Sequence, residues 1–355
     1  MVKAKPSRLL KATFNLPVQT FSGKIAEVKL GATRKEGGTR ANNIVIGGET
    51  APAFYTFEKP TSHPPVVAVD VFDVKVPLPK AVKMHVKEVI EDPAEWAKLA
   101  VNKFEADLVT VHLVSTDPLN KDTSPRQAVK TVESVAQAVS VPLIIGGCGD
   151  PAKDTEVFEA ITEAFAGERL LISSVTRDMD IERCAQFIKR HDHVALSFTP
   201  MDLNLARELN RRLREFLGDA DIVMDLTTAA LGYGLEYAFS NMERARLSAL
   251  AGDKGLAYPM SAGAANAWAA REAWMEMGRE WEPRELRGPL WELATALPLL
   301  LAGVDLFMMM HPAAVKALKD ITKQITSPTG TKADQLAEWT STRIASEEGN
   351  TCGKS

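Results

Sequence analysis

The sequence predicts an α/β chain folded as a (β/α)8 TIM barrel with an N-terminal β-hairpin extension. Three observations carry this. From Val66 onward short apolar runs of strand type are followed by runs with helical spacing, eight times over. The alternating part has about the length that one such barrel needs. The stretch after the first strand, DVFDVKV at 70–76, contains no glycine, whereas a doubly wound dinucleotide fold carries a glycine fingerprint there.

Residues 1–60 form the predicted hairpin arm. FSGKIAEVKLG (21–31) alternates as a strand, GGTRANN (37–43) is turn material, and IVIGGE (44–49) reads as the returning strand. A lone hairpin is marginally stable, so the arm must lie against the barrel or against another chain. TFEKPTSHPP (56–65) closes it, and the barrel is assigned to 61–325.

PVVAVDVFD (65–73) and the helix AEWAKLAVNKF (94–104), apolar at i, i+3 and i+4, make the first unit. DLVTVHLV (107–114) and SPRQAVKTVESVAQAV (124–139) make the second, with Ser124 as N-cap and Pro125 at the first helical position. The third, fourth and fifth pair strands at 141–149, 169–175 and 193–198 with helices at 151–165, 180–190 and 201–217. DIVMD (221–225) and LEYAFSNMERARLSAL (235–250) form the sixth. GLAYPM (255–260) and a helix over 263–277 are the predicted seventh. GVDLFMMM (303–310) is the eighth strand, with an apolar helix over 289–303 before it and HPAAVKALKDIT (311–322) after it. The tail, 326–355, is polar without strong periodicity and is expected to fray or pack loosely.

Charged residues make up 25% of the chain and the net charge is -4, so no basic surface draws it to nucleic acid or anionic lipid. Cys148, Cys184 and Cys352 lie far apart without CxxC spacing, which predicts free thiols rather than a disulfide framework or a metal cluster. No apolar run reaches the roughly 18 residues of a membrane span, and the first residues lack the apolar centre of a signal peptide. A cytoplasmic protein with no membrane partner is expected.

Sites on such a barrel lie where strands end. Those ends carry Asp70 and Asp73; His112, Ser115, Thr116 and Asp117; Gly146, Gly147 and Gly149; Ser173, Ser174 and Thr176. The later ones carry Ser197 and Thr199; Asp225, Thr227 and Thr228; Met260 and Ser261; Met310 and His311. This rim is small, polar and rich in hydroxyls, with no arginine or lysine cluster for phosphate, no HxH or HxxxH pair and no GxSxG elbow. It suits a broad ligand with amide groups, or another protein's surface, better than acid–base chemistry. Its centre is 221–237, where Thr227, Thr228, Gly232, Tyr233 and Gly234 follow a strand; a connection braced by its own Asp and Thr hydrogen bonds is the plain alternative. His112 fits a hydrogen-bonded core histidine or a catalytic one, and His311 fits packing at a helix start or a site. The glycines of GGCGD (146–150) fit a ligand approach or a tight turn. Met308 to Met310 fit barrel filling, and Trp268, Trp274, Trp281 and Trp291 fit core or interface.

Three longer stretches, ADLVTVHLVSTDP (106–118), 225–250 and 287–315, together with the motifs GYGxEYxxSxMERxR (232–246) and RGxLWE (287–292), resemble the small, or delta, subunit of the corrinoid iron-sulfur protein. That family serves the acetyl-CoA synthase/decarbonylase system of one-carbon metabolism. The resemblance covers the barrel and the hairpin. It implies a non-catalytic barrel paired as a heterodimer with a large subunit that carries a [4Fe-4S] cluster and the corrinoid domain. The cobamide then lies between the subunits and carries a methyl group from methyltetrahydropterin, through a separate methyltransferase, to acetyl-CoA synthase. This chain would hold no iron-sulfur cluster of its own. The motifs mark the family rather than individual contacts; the rim residues expected to contact the corrinoid are Ser115, Thr116, Asp117, Ser173, Ser174, Thr176, Asp225, Thr227, Thr228, Gly232 and Tyr233. A methyltetrahydropterin:corrinoid methyltransferase holding the pterin on Asp70 and Asp225 is the runner-up; a barrel hydrolase or aldolase finds no metal triad or Schiff-base lysine on the rim. The size of the arm favours a partner surface.

Overall fold

The structure, a computed structural model, describes residues 19–53 and 63–326. The expected tail lies outside the described residues except for its first position. The hairpin is β1 (Glu27–Leu30) and β2 (Ile44–Gly47), paired antiparallel. Eight parallel strands then close a barrel: β3 (Val66–Phe72), β4 (Leu108–His112), β5 (Leu143–Gly146), β6 (Leu171–Val175), β7 (Val194–Phe198), β8 (Ile222–Asp225), β9 (Met260–Gly263) and β10 (Leu306–Met309), with β10 returning to β3. Around them run α1 (Lys80–Val86), α2 (Pro93–Lys103), α3 (Pro125–Ala138), α4 (Pro151–Ala164), α5 (Ile181–Arg190), α6 (Leu203–Arg214), α7 (Leu235–Leu250), α8 (Arg284–Leu301) and α9 (Pro312–Thr326).

Helix starts follow local chemistry. Asp92, Ser124, Asp150, Asp180 and Asp202 each accept from backbone N–H groups of the turn they cap, and α2, α3 and α4 place proline where no amide is needed. Each such cap contributes about 1 kcal/mol. No helix among the described residues is long and apolar enough to cross a membrane.

Successive side chains in a strand point to opposite faces, so each barrel strand serves two cores. Val69, Val111, Ile145 and Phe307 pack outward against the helices. Ala68, Leu108, Ile144, Leu171, Val223 and Leu306 point inward, and Val28, Leu30 and Ile46 of the hairpin pack on them. The hairpin therefore closes the N-terminal end of the barrel. Gly23 N–H donates to Leu250 O at the end of α7 (2.8 Å), Ala26 N–H to Ala257 O (2.9 Å) and Gly31 N–H to Arg169 O (2.9 Å), all at that end. The surface the arm needs is the barrel's own floor. Its size is thus no argument for a partner, and that part of the expectation is corrected.

Arg246, from the MERxR motif, is a second tie at this end. Its guanidinium donates to Asp305 (2.6 Å), to Glu49 (2.9 Å) and to Gly303 O, joining α7, the exit of the hairpin and the start of β10.

The seventh unit departs from expectation. Its strand is Met260–Gly263, not 255–260, and 263–277 is not an α-helix but 3-10 turns at Ala264–Ala269 and Arg271–Ala273, followed by another at Arg279–Trp281. The helix of this unit is α8, which starts ahead of the expected 289. Trp268 explains the difference. Its indole N–H donates to buried Glu292 (3.0 Å), and its ring lies 2.2 Å from where a Cβ on Gly288 would stand. That packing under α8 outweighs the helix propensity of an alanine-rich run. Helix α1, ahead of α2, also escaped the periodicity reading.

Candidate functional site

The strands' C-terminal ends form a polar mouth opposite the hairpin. Register pairs Asp70 with Thr110, Phe72 with His112, His112 with Gly146, Gly146 with Ser173 and Asp225 with Ser261. By the two-residue period, the inner face that is apolar at the floor becomes Asp70, Thr110, His112, Gly146, Ser173 and Asp225 at the mouth.

On one side of this mouth a cavity of about 230 Å³ is lined by His112, Gly146, Gly147, Ser173, Ser174 and Thr176, with Asp154 and Met179 at its edge. His112 stacks on Phe72 at 5.0 Å between centroids, and its Nε2 stands 3.1 Å from Asp70 Oδ1, out of line for a hydrogen bond. A Cβ on Gly146 would stand 2.7 Å from His112 Nδ1, and one on Gly147 would stand 2.3 Å from the Asp154 carboxyl carbon. These two glycines keep room for neighbouring side chains. Asp154 accepts from Cys148 N–H (2.8 Å), Gly149 N–H (2.9 Å) and the Cys148 thiol (3.2 Å). Burial pushes both the Asp154 carboxyl and the Cys148 thiol up from their usual ranges, which disfavours the thiolate form of Cys148.

Across β7 lies the second cluster. Asp225 accepts from Thr227 N–H (2.8 Å) and from the Ser261 hydroxyl (3.0 Å). Burial pushes its pKa up to about 6, although both hydrogen bonds oppose the shift. Thr227, at φ 70°, donates its hydroxyl to Thr199 O (2.9 Å). The Thr228 hydroxyl accepts from Gly263 N–H (3.0 Å), and Thr228 O accepts from Asn266 (2.9 Å). Both threonines tie the sixth loop to its neighbours, while the Asp225–Thr227 bond braces it from within.

The other predicted residues are spread around these clusters. Ser115 donates its N–H (2.9 Å) and hydroxyl (2.5 Å) to Asp73, whose carboxyl burial pushes up. The Thr116 hydroxyl, fully buried, donates to Leu113 O (2.7 Å), and Asp117 accepts from Leu119 N–H (2.8 Å). That segment braces itself. Gly232, at φ 79°, and the exposed Tyr233, whose hydroxyl is 3.4 Å from Glu272, sit at the outer edge beside the start of α7. Of the predicted residues, the structure brings Ser173, Ser174 and Thr176 together in one cavity and Asp225, Thr227 and Thr228 in one hydrogen-bonded network.

Glu292 was not anticipated. It is fully buried and accepts from Met310 N–H (2.6 Å), His311 N–H (3.1 Å) and Trp268; burial pushes its pKa up to about 7. The sequence did hold a signal, since Glu292 is the lone charge within the apolar run 288–303. His311 accepts from Ala313 N–H on Nδ1 (3.1 Å) and stacks near Trp268, and burial, with His85 beside it, lowers its pKa to about 4. It is a neutral packing residue at the start of α9. Among the described residues no group of three or more His, Cys, Asp or Glu is placed to hold a metal ion.

A family model described as the CO dehydrogenase/acetyl-CoA synthase delta subunit matches residues 27–280. The chain belongs to this delta-subunit family. Its relatives include the acetyl-CoA decarbonylase/synthase complex subunit delta of Archaeoglobus fulgidus, 54% identical over 323 residues, covering 89% of this chain and 72% of that protein. The Methanosarcina mazei subunit delta is 47% identical over 339 residues (93% of this chain, 78% of that protein), and that of Methanocaldococcus jannaschii is 47% identical over 316 residues (88% and 77%). Among solved structures, a Xanthomonas albilineans dihydropteroate synthase with 4-aminobenzoic acid superposes with a TM-score of 0.52 at 15% identity, over 75% of this chain and 95% of that one. That likeness shows the barrel fold alone.

Within this delta-subunit barrel the Asp225 network yields a pH prediction. A folded pKa near 6 against about 3.8 unfolded means the folded chain binds the proton more tightly. Its contribution is full below pH 3.8 and is lost as the pH rises through about 6, a change on the order of 3 kcal/mol. Denaturant midpoints compared at pH 5 and pH 8, an interval that carries about half of that change, are expected to fall with pH in the parent chain and to show a shallower slope in Asp225→Asn. Equal slopes would mean that Asp225 titrates normally.

Proposed function

We propose that this delta-family chain is a non-catalytic subunit that forms one wall of a corrinoid chamber, the other wall being a larger subunit with the corrinoid domain and a [4Fe-4S] cluster. The observation that carries the reading is the chemistry of the mouth. Hydroxyls and glycine backbone line a cavity without lysine or arginine, burial pushes the nearby thiol up, and the carboxyls at the mouth, Asp154 and Asp225, are held by backbone, thiol and hydroxyl donors. Such a lining binds amides and offers no strong base or nucleophile. A corrinoid would supply the methyl-carrying cobalt; the groups of this chain bind it, orient it and exclude water. Ser173, Ser174 and Thr176 fit that task, with Asp225, Thr227 and Thr228 shaping the opposite side and Tyr233 at the rim. Ser115, Thr116, Asp117 and Gly232 set the loops that carry the wall.

The outer face of α8 supports a partner. Leu286, Leu290 and Leu301 are at least half exposed, with Leu293 and Leu297 partly buried between them, and exposed Tyr237, Trp274 and Trp281 lie on neighbouring segments. Apolar surface of that extent marks an interface. In this reading the methyltransferase that donates the methyl group and the acetyl-CoA synthase that receives it dock transiently, and the assembly is cytoplasmic.

Co-expression with a candidate large subunit, followed by size exclusion and a visible spectrum, tests the proposal. A comigrating corrinoid band that the lone barrel lacks is the expected result. A lone barrel that runs as a homodimer and binds methyltetrahydrofolate would replace it with the methyltransferase reading.

A further inference from the structure

We infer that the cavity between β4 and β6 is a subsite for one uncharged primary carboxamide, received by His112 Nδ1 and the Ser173 and Ser174 hydroxyls. The argument begins behind the cavity. Asp70 is 5% exposed and its Oδ1, without a hydrogen-bond partner, is 3.1 Å from His112 Nε2. The Asp70 carboxyl presents an acceptor oxygen to Nε2, so this close approach assigns the imidazole proton to Nε2 and leaves Nδ1 as a lone-pair acceptor. Nδ1 faces Gly146, where any Cβ would stand 2.7 Å away. Glycine keeps that acceptor open.

Charge decides the ligand class. No lysine or arginine lines the cavity, so an anion would go unneutralised. The one acidic side chain in the lining, Asp154, already accepts from three donors on Cys148 and Gly149, so its oxygens are largely taken up there rather than free to ligate a cation. A neutral group that donates from one side and accepts on the other satisfies both Nδ1 and a serine hydroxyl. A primary carboxamide does so in one plane, and Met179 offers apolar contact to a short methylene arm. A volume of about 230 Å³ takes such an arm and not a whole macrocycle. Only the identity of the molecule bearing the amide rests on the corrinoid reading, corrin rings carrying several primary carboxamides at their edge.

The test has two arms. In the first, the full chain alone is titrated with propionamide and with propionate while the His112 ring resonances are followed by NMR. Propionamide is expected to move the Nδ1 resonance saturably, propionate to leave it, and Ser174→Ala to weaken the response about five-fold, as loss of one hydrogen bond does. Equal responses to the two compounds, or none to propionamide, overturn the inference. Gly146→Ala, which fills the approach to Nδ1, should abolish the response. Ser174→Ala, a smaller change, keeps the test valid if that variant misfolds. In the second arm, the chain is assembled with its large partner and loaded with cobinamide or with cobinamide whose side-chain amides are hydrolysed. Preference for the intact amides that falls in Ser174→Ala supports the subsite. Corrinoid retention indifferent to both changes overturns it while leaving the corrinoid wall standing; a propionamide response without any corrinoid retention keeps the subsite and removes the wall.

Discussion

Arg246→Ala is expected to destabilise the isolated chain by about 3–5 kcal/mol, the usual cost of removing one partner from a buried ionic group. The guanidinium is 3% exposed and joins two carboxylates, Asp305 and Glu49, whose side chains are 5% and 12% exposed. Without it the two carboxyls lose their cationic partner, Asp305 being one that burial already pushes well up, Gly303 O loses its side-chain donor, and three elements lose their common tie. Asp305 also receives Met260 N–H (2.7 Å), so the damage reaches the start of β9. Arg246→Lys restores charge but not the fork, because one ammonium cannot serve three acceptors in one plane, and it is expected to recover only part of the loss. Urea midpoints with an unchanged slope would measure both. A loss under about 1 kcal/mol for Arg246→Ala would place the trio in the class of solvated surface pairs.

Leu30→Ala is the second large effect, at about 2–5 kcal/mol. Leu30 is fully buried in the cluster that the hairpin shares with the barrel floor. Truncation removes apolar contact where the inner strand faces meet the hairpin, and the two-stranded hairpin cannot collapse far to fill the gap. The decisive measurement is the unfolding midpoint of the lone chain. A hairpin that served mainly as an arm for another subunit would leave that midpoint unmoved and weaken only the complex.

Much of the architecture was legible because it is written in local periodicity. The strands at 108–112, 143–146, 171–175 and 194–198 are short apolar runs, and their helices begin at Ser124, Asp150, Asp180 and Asp202, whose side chains cap the following amides. These are interactions within four residues. The seventh unit was misplaced because its conformation depends on partners far along the chain: Trp268 on Gly288 and Glu292, and Leu231 N–H on Thr295 (3.2 Å). An alanine-rich run scores as helix by propensity, and a tertiary contact overrode it.

The site divides in the same way. That Ser173, Ser174 and Thr176 lie at a mouth follows from their position at the end of a strand. That Asp154, six residues after Cys148, folds back under that residue's amide, or that Glu292 on α8 receives the amides of Met310 and His311, follows from no spacing rule. The recognition motifs show the contrast most plainly. GYGxEYxxSxMERxR and RGxLWE marked the family, yet Arg246 ties the barrel floor, and Glu292 and Gly288 hold Trp268 in place. By itself the sequence determined the barrel, the hairpin's existence, the starts of the capped helices α2 to α6 and the family resemblance, because periodicity, caps and motifs act over a few residues. Only the tertiary structure decided where the hairpin lies, which hydroxyls are engaged and which line a cavity, and which carboxyls burial keeps near neutrality. Those outcomes depend on desolvation and on contacts between segments well separated along the chain, most widely between Glu49 and Arg246 of the hairpin exit and α7.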